Sequence, residues 1–135
     1  MKVYIGYKYT NVEDKNSLKK GLEEVSDIIS DLGHTTFLLG RDKKNWSSSR
    51  FPLWKTIPYI FINLINSELL FAYIVNDEKS YGLSFELALA KLMKKKIIVA
   101  LTNKNLSCEF EKRMADQIVE LSSFSELKEY LAREL

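Results

Sequence analysis

Apolar residues recur at Leu18, Leu22, Val25, Ile28, Ile29 and Leu32, a spacing of three and four that marks one face of a helix. Gly33 follows the pattern directly and supplies its stop. The other apolar runs are short. Val3 to Gly6 is β-branched and aromatic and predicts a first strand; His34 to Leu39, ended by Gly40, predicts a second. Leu69 to Val75 is apolar at every position, which fits a central parallel strand buried on both faces. Ile97 to Leu101 reads as another buried strand, and Ile118 to Leu121 as the last. Trp54, Ile57, Phe61, Leu64 and Ile65 mark a helix that Pro52 can begin and that Pro58 should kink or delay. Asn76 to Gly82 reads as a turn, and Leu83 to Lys94 as a helix with Leu83, Leu87, Ala90 and Met93 on one side. A short helix from Glu109 to Ala115 and a closing one from Phe124 to Leu135 complete the order.

Strands alternating with helices at this spacing predict a single α/β domain over residues 1–135. The expected architecture is a doubly wound, five-stranded parallel sheet with helices on both faces. Right-handed crossovers restrict the topologies, and the flavodoxin-like strand order 2-1-3-4-5 is the one expected. In that order the loops after the first and third strands abut, which is where open α/β sheets place ligands. Tyr7 to Asn11 forms the first of these loops. Arg41 to Arg50 is a longer loop without periodicity, of a length that is often functional.

Composition removes several function classes. The net charge of +2 over 135 residues, with lysines spread along the chain, gives no footprint for a nucleic acid polymer. The Lys94-Lys95-Lys96 cluster falls at a predicted helix end, where cations complement the macrodipole. A single cysteine, Cys108, excludes a disulfide framework, and a single histidine, His34, excludes a multi-histidine metal centre. No run approaches the roughly 18 apolar residues of a membrane span, so no membrane partner is expected. The start of the chain reads as a strand rather than a signal peptide, which points to the cytoplasm.

The loops carry the chemistry, since the fold alone does not. No Gly-x-Gly-x-x-Gly follows the first strand, no P-loop is present, and the first strand lacks the acids of a phospho-acceptor domain. What the abutting loops bring together is Tyr4, Gly6, Tyr7, Lys8 and Tyr9 on one side and Ser80, Gly82 and Glu86 on the other. Glu86 is expected at a helix N-terminus, where the dipole keeps it ionised. An ionised carboxylate suits attack on, or stabilisation of, an oxocarbenium-like sugar carbon, and aromatics at the mouth can stack on a base. No cofactor or metal is implied.

The stretch Gly82-Leu83-Ser84-Phe85-Glu86-Leu87-Ala88-Leu89-Ala90 also resembles the turn that marks the nucleoside 2-deoxyribosyltransferase family, which includes the 2′-deoxynucleoside 5′-phosphate N-hydrolases. Val3-Tyr4-Ile5-Gly6 is similar to that family's first strand. The resemblance implies Glu86 as catalytic nucleophile, with Tyr4 beside it, and a small-molecule nucleoside or nucleotide as substrate. It also implies a homodimer or higher oligomer, for which the apolar helix from Trp54 to Ile65 is the candidate surface. The chain departs from the family pattern at Ser80, where many transferases have an acid. Asn63 is the one polar residue where the family has an aspartate, and Tyr7-Lys8-Tyr9-Thr10 replaces the hydrolases' phosphate loop.

The candidates are therefore Glu86 and Tyr4 for catalysis, and Gly6, Tyr7, Lys8, Asn63, Ser80 and Gly82 for substrate. Lys8 is expected to hold a phosphate or to stand as a solvated loop lysine. Asn63 and Asn76 are amides placed to orient Glu86 or a sugar hydroxyl, and Ser80 caps the helix or donates to the sugar. Trp46, Trp54, Arg41 and Arg50 flank the long loop as lid or anion-attracting residues. Three functions follow: N-glycosidic cleavage of a nucleoside or nucleotide, NAD glycohydrolysis, or a non-catalytic nucleotide-sensing or interaction domain of the same fold.

Overall fold

A computed structural model of the protein describes residues 1–8, 14–39, 53–103, 105–121 and 123–135. The Tyr9-Thr10-Asn11 stretch, the Arg41 to Arg50 loop with Trp46, Pro52 and the Trp54 side chain lie outside the described residues. The elements are β1 (Lys2–Tyr7), α1 (Lys15–Asp31), β2 (Thr35–Leu38), α2 (Leu53–Ile65), β3 (Leu69–Ile74), α3 (Tyr81–Leu92), β4 (Lys96–Leu101), α4 (Glu109–Met114), β5 (Gln117–Glu120) and α5 (Phe124–Glu134). They form one five-stranded sheet in the order β2-β1-β3-β4-β5, every neighbouring pair parallel.

The period-two alternation of the strands sorts the core into two layers. Val3, Ile5, Phe71, Tyr73, Ile98 and Ala100 face α1 and α5, packing on Leu18, Leu22, Val25, Ile29, Leu127 and Leu131. Tyr4, Leu70, Ala72, Ile74, Ile97, Val99 and Leu101 face the opposite side, packing on Ile60 and Leu64 of α2, on Leu83, Leu87 and Ala90 of α3, and on Cys108 at the head of α4. Each central strand is covered on both faces, which is why β3 is apolar at every position.

Local signals set the helix ends. Asp14 caps α1, its carboxylate accepting the Ser17 N–H at 3.0 Å. At the other end Gly33 adopts φ +92°, and the bonds Gly33 N–H to Ser30 and His34 N–H to Ile29 close a Schellman turn. The same closure ends α3, where Lys94 N–H bonds Lys91 and Lys95 N–H bonds Ala90. Here the left-handed position, φ 60°, is filled by Lys94 rather than glycine. Of the lysine cluster, Lys94 and Lys95 thus form the turn and Lys96 begins β4, while the Lys95 ammonium caps the Ile65 carbonyl at 3.0 Å.

Helix α2 and the two ends of α3 bear most on the sequence pattern, and α3 ends at Leu92 rather than Lys94. Helix α2 spans Leu53–Ile65 with Pro58 inside it, so the proline does not delay its start. Helix α3 begins at Tyr81, two residues before the expected Leu83, because Ser80 supplies an N-cap that the apolar pattern does not reveal. No helix among the described residues is long and apolar enough to cross a membrane.

Since Lys94 is exposed and held at positive φ, Lys94→Gly should stabilise the protein by about 0.5–1 kcal/mol, the left-handed strain outweighing the entropy gained by the unfolded chain. Urea or thermal unfolding checks this, and a lowered midpoint would contradict the assigned turn.

Candidate active site

Strand β1 and the residue that follows it present Tyr4, Gly6 and Lys8 in succession to the layer that contains α2, α3 and α4, and Val3, Ile5 and Tyr7 to the opposite layer. Its C-terminal half pairs with β3 through Gly6–Ala72 and Tyr7–Tyr73, so the chain leaving β1 adjoins the turn leaving β3. That turn, Asn76 to Ser80, delivers α3.

Helix α3 buries Leu83, Glu86, Leu87 and Ala90, the i, i+3, i+4, i+7 stripe of a core-facing helix. Three members are apolar and one is a carboxylate. Glu86 is only 7% exposed, a costly position for an ionisable group unless a donor meets it. The Tyr4 hydroxyl, itself fully buried on β1, donates to Glu86 Oε2. Burial first, then the charge of Glu86 and the hydrogen bond to it, push the Tyr4 phenol far above its ordinary range, so Tyr4 keeps its proton. Its ring lies against Phe37, centroids 5.2 Å apart, which fixes the direction of the hydroxyl.

Gly6 makes this approach possible. A Cβ there would stand 2.9 Å from Leu83 Cδ1 and 3.9 Å from Glu86 Oε1, so a side chain would push against α3 directly beside the carboxylate. Gly82 differs. A Cβ on it would meet no described atom within 4 Å, which leaves the backbone at the head of α3 open to approach.

Glu86 stands in the second turn of α3, because Ser80 is the N-cap and Tyr81 to Leu83 form the first turn. The macrodipole acts within the first turn and is weak here, so the expectation of a dipole-held carboxylate is corrected. The Tyr4 hydroxyl meets the carboxylate instead. Ser80 is buried and its Oγ accepts the Leu83 N–H at 3.2 Å, which is a capping role.

The structure does not bring together all the predicted substrate residues. Tyr7 packs against the α1–α5 layer, since strand alternation turns it away from Glu86. Lys8 is neither solvated nor open to a phosphate. It is 1% exposed and pairs with Glu111 Oε1 at 3.0 Å, within 3.4 Å of the Asn76 carbonyl. Asn63 lies near the end of α2, where its side chain accepts from the Lys2 ammonium at 2.7 Å and donates to the Tyr59 carbonyl. It serves the beginning of β1, whereas Glu86 stands beside Gly6 toward the strand's end. The Asn76 side chain accepts the Glu78 N–H at 3.0 Å and so shapes the β3–α3 turn.

Asp77, Ser107 and Glu111, which sequence reasoning passed over, complete this corner with Cys108. Asp77 Oδ1 accepts from the Cys108 N–H at 3.2 Å and lies 3.3 Å from Cys108 Sγ and from Ser107 Oγ. The bond from Cys108 holds the Asp77 carboxyl below its usual range, while burial raises the thiol to about 11. Glu111 looks in sequence like a solvated first-turn acid, and nothing local marks it as the partner of Lys8. Only Asp77, directly after Asn76 in the turn, carried a signal that could have been read. No three His, Cys, Asp or Glu side chains among the described residues converge as metal ligands do.

No family model matches the chain, and no curated protein matches it by sequence. Solved structures do. The CMP N-glycosidase BcmB of Clostridium botulinum superposes with a TM-score of 0.68 at 17% identity, covering 100% of both chains. The 2-deoxyribosyltransferase of Bacillus psychrosaccharolyticus gives 0.69 at 15% identity, over 96% of this chain and 92% of that one. A conserved protein of Enterococcus faecalis V583 gives 0.69 at 15% identity, over 100% and 99%. At these identities the likeness is one of fold, and the fold of this chain is the one found in nucleoside 2-deoxyribosyltransferase-like proteins.

Proposed function

We propose that this protein cleaves the N-glycosidic bond of a nucleoside or nucleoside monophosphate, by hydrolysis or by transfer to a second base, with Glu86 as nucleophile. The observation that carries the reading is the buried Glu86 carboxylate on the core stripe of α3, hydrogen-bonded by Tyr4 and fitted against Gly6. The fold likeness to an N-glycosidase and a deoxyribosyltransferase supports the same chemistry.

In this mechanism Tyr4 binds Oε2 and orients the carboxylate, and Glu86 attacks C1′ as the base departs. A glycosyl ester forms on Glu86 and is resolved by water or by a second base. Tyr4 holds its proton throughout, so protonation of the departing base falls to another group. The open backbone at Gly82 lies one turn before Glu86 and is where the substrate would come closest to α3.

Burial of Glu86 also favours a second reading, a nucleotide-sensing domain that has kept the fold without turnover. A chromatographic screen of nucleosides, nucleoside monophosphates and NAD for released base separates the readings. Base from a nucleoside or its monophosphate supports the first, nicotinamide from NAD supports NAD glycohydrolysis, and binding without release supports sensing.

Exposed Ile57, Tyr59, Phe61, Ile62 and Ile65 on α2 form the surface assigned to a second copy of the chain. No acid or base stands among Ile57 to Ile65 to oppose an isologous contact. Ile62→Lys should then shift the protein to monomer in light scattering after size exclusion, with its circular dichroism unchanged.

Glu86→Gln should lower kcat by about 1,000-fold or more while the protein stays folded, since it loses a buried charge and not a packing atom. Tyr4→Phe should lower kcat by about 10–100-fold, the usual scale for losing one oriented donor. Unchanged base release in Glu86→Gln would refute the nucleophile assignment. Gly82→Ala should raise KM about tenfold while stabilising the free protein by about 0.5 kcal/mol, because alanine favours the helix but fills the approach. An unchanged KM would remove Gly82 from the site.

A further inference from the structure

Two adjacent residues tie the turn between β3 and α3 to segments far away in the chain. The Asn76 carbonyl receives the Lys8 ammonium at 3.4 Å and the Cys108 thiol at 3.5 Å. Asp77 Oδ1 receives the Cys108 N–H at 3.2 Å, with Cys108 Sγ and Ser107 Oγ each at 3.3 Å. Lys8 ends the strand face that carries Tyr4 and Gly6, and Cys108 is the residue before α4. All three contacts of Asp77 fall on one oxygen. Asp77 itself is exposed, so its contribution lies in those bonds rather than in burial.

Cys108 is the second mark of this junction. Its backbone stands at φ 41° and ψ 51°, left-handed for a residue that carries a Cβ. A glycine would take that conformation without strain. It would also lose the thiol, which is buried in the layer of α2, α3 and α4 and meets both turn residues. Strain of this kind persists only where surrounding contacts over-determine it, and it collects at functional sites. Here those contacts are the ones to Asn76 and Asp77.

We infer that Asp77 is a positioning residue for Glu86: by clasping Ser107 and Cys108 it fixes the turn from which α3 starts, and with it the height of Glu86 against Tyr4 and Gly6. The inference rests on the reading of Glu86 as nucleophile. Glu86 lies six residues past the Ser80 cap, about 9 Å along the helix. The stripe of Leu83, Leu87 and Ala90 sets which face of α3 meets the sheet. Apolar contact is non-directional, however, and specifies the axial position of a helix less sharply than hydrogen bonds do. Such bonds stand at both ends of α3. Lys95 binds the Ile65 carbonyl beyond its C-terminus, and Asp77 closes the turn before its N-terminus. The competing role for Asp77 is that of the acid protonating the departing base. Its carboxyl, held below the usual range by the bond from Cys108, carries no proton to give at neutral pH.

The test compares base release by wild type, Asp77→Ala and Asp77→Asn, on the nucleoside or nucleoside monophosphate that wild type turns over fastest. Asp77→Ala removes the shared acceptor and should lower kcat by about 30–100-fold, the scale of a reacting group displaced by about 1 Å. Asp77→Asn keeps Oδ1 as an acceptor without the charge, and its kcat should stay within about threefold of wild type. Equal losses in the two variants would give Asp77 a charge or acid role and overturn the inference. A merely structural role predicts a lower unfolding midpoint in Asp77→Ala with kcat per folded molecule unchanged, and that result also overturns it. The crystal structure of Asp77→Ala gives a readout independent of turnover. After superposition on the sheet, Glu86 Cα should be displaced by about 1 Å, whereas an unmoved α3 is contrary to the inference. If Asp77→Ala does not fold, Asp77→Ser replaces it, since its shorter side chain cannot reach both donors. A kcat loss of about tenfold is then expected, and wild-type kcat overturns the inference. Turnover that survives Glu86→Gln sinks the nucleophile assignment itself, whereas loss in Glu86→Gln with full activity in Asp77→Ala sinks only the clasp.

Discussion

The Tyr4 hydroxyl meets a carboxylate that stands where a hydrophobic residue would ordinarily be, and the arrangement of β1 against α3 follows from that contact. Glu86 shares its stripe with Leu83, Leu87 and Ala90, so the helix cannot seat against the sheet without taking the carboxylate inside. An acid in that position is tolerated when a donor reaches it. Tyr4 lies on an interior strand, immobilised by β2 and β3 on either side and by Phe37 against its ring. Gly6 removes the side chain that would hold α3 off. The donor, the gap and the acid thus belong to one contact, and its rigidity comes from the parallel sheet.

A second charged contact lies beside the first. Lys8 and Glu111 are buried as a pair, and their burial is not a strong source of stability, since desolvation offsets most of the attraction. What the pair does is join β1, the β3–α3 turn and α4 at the sheet edge where Glu86 emerges. Asp77 makes the same join from the turn, through Cys108 and Ser107. The short helix α4 therefore acts as a brace for the segment that carries the nucleophile.

The sheet order could be read from the chain because buried parallel strands are apolar at every position and the connecting helices show a three-and-four period. Leu69 to Ile74 and Leu18 to Ile29 are the clearest cases, and both stand within three residues of where the pattern puts them. The pairing of Tyr4 with Glu86 was legible for a different reason, a resemblance of two short segments. What the pattern lost was polar. Ser80 extends α3 by two residues through one side-chain hydrogen bond, which moves Glu86 from the first turn to the second. Lys8 and Glu111 look like solvated charges because nothing in a linear sequence tells a paired charge from a free one, and 103 positions separate them.

The amino-acid sequence by itself determined the elements, their alternation and the turn-to-helix junction that carries Glu86, since these depend on local period and residue type. The tertiary structure decided which side chains share that acid's surroundings. Strand alternation set Tyr4 and Gly6 toward α3 and turned Tyr7 away, and the run of α2 left Asn63 beside Lys2. Long-range packing set the buried Lys8 ammonium beside Glu111. Charge pairing in a buried corner depends on distances between segments far apart in the chain, and only the folded molecule sets those distances.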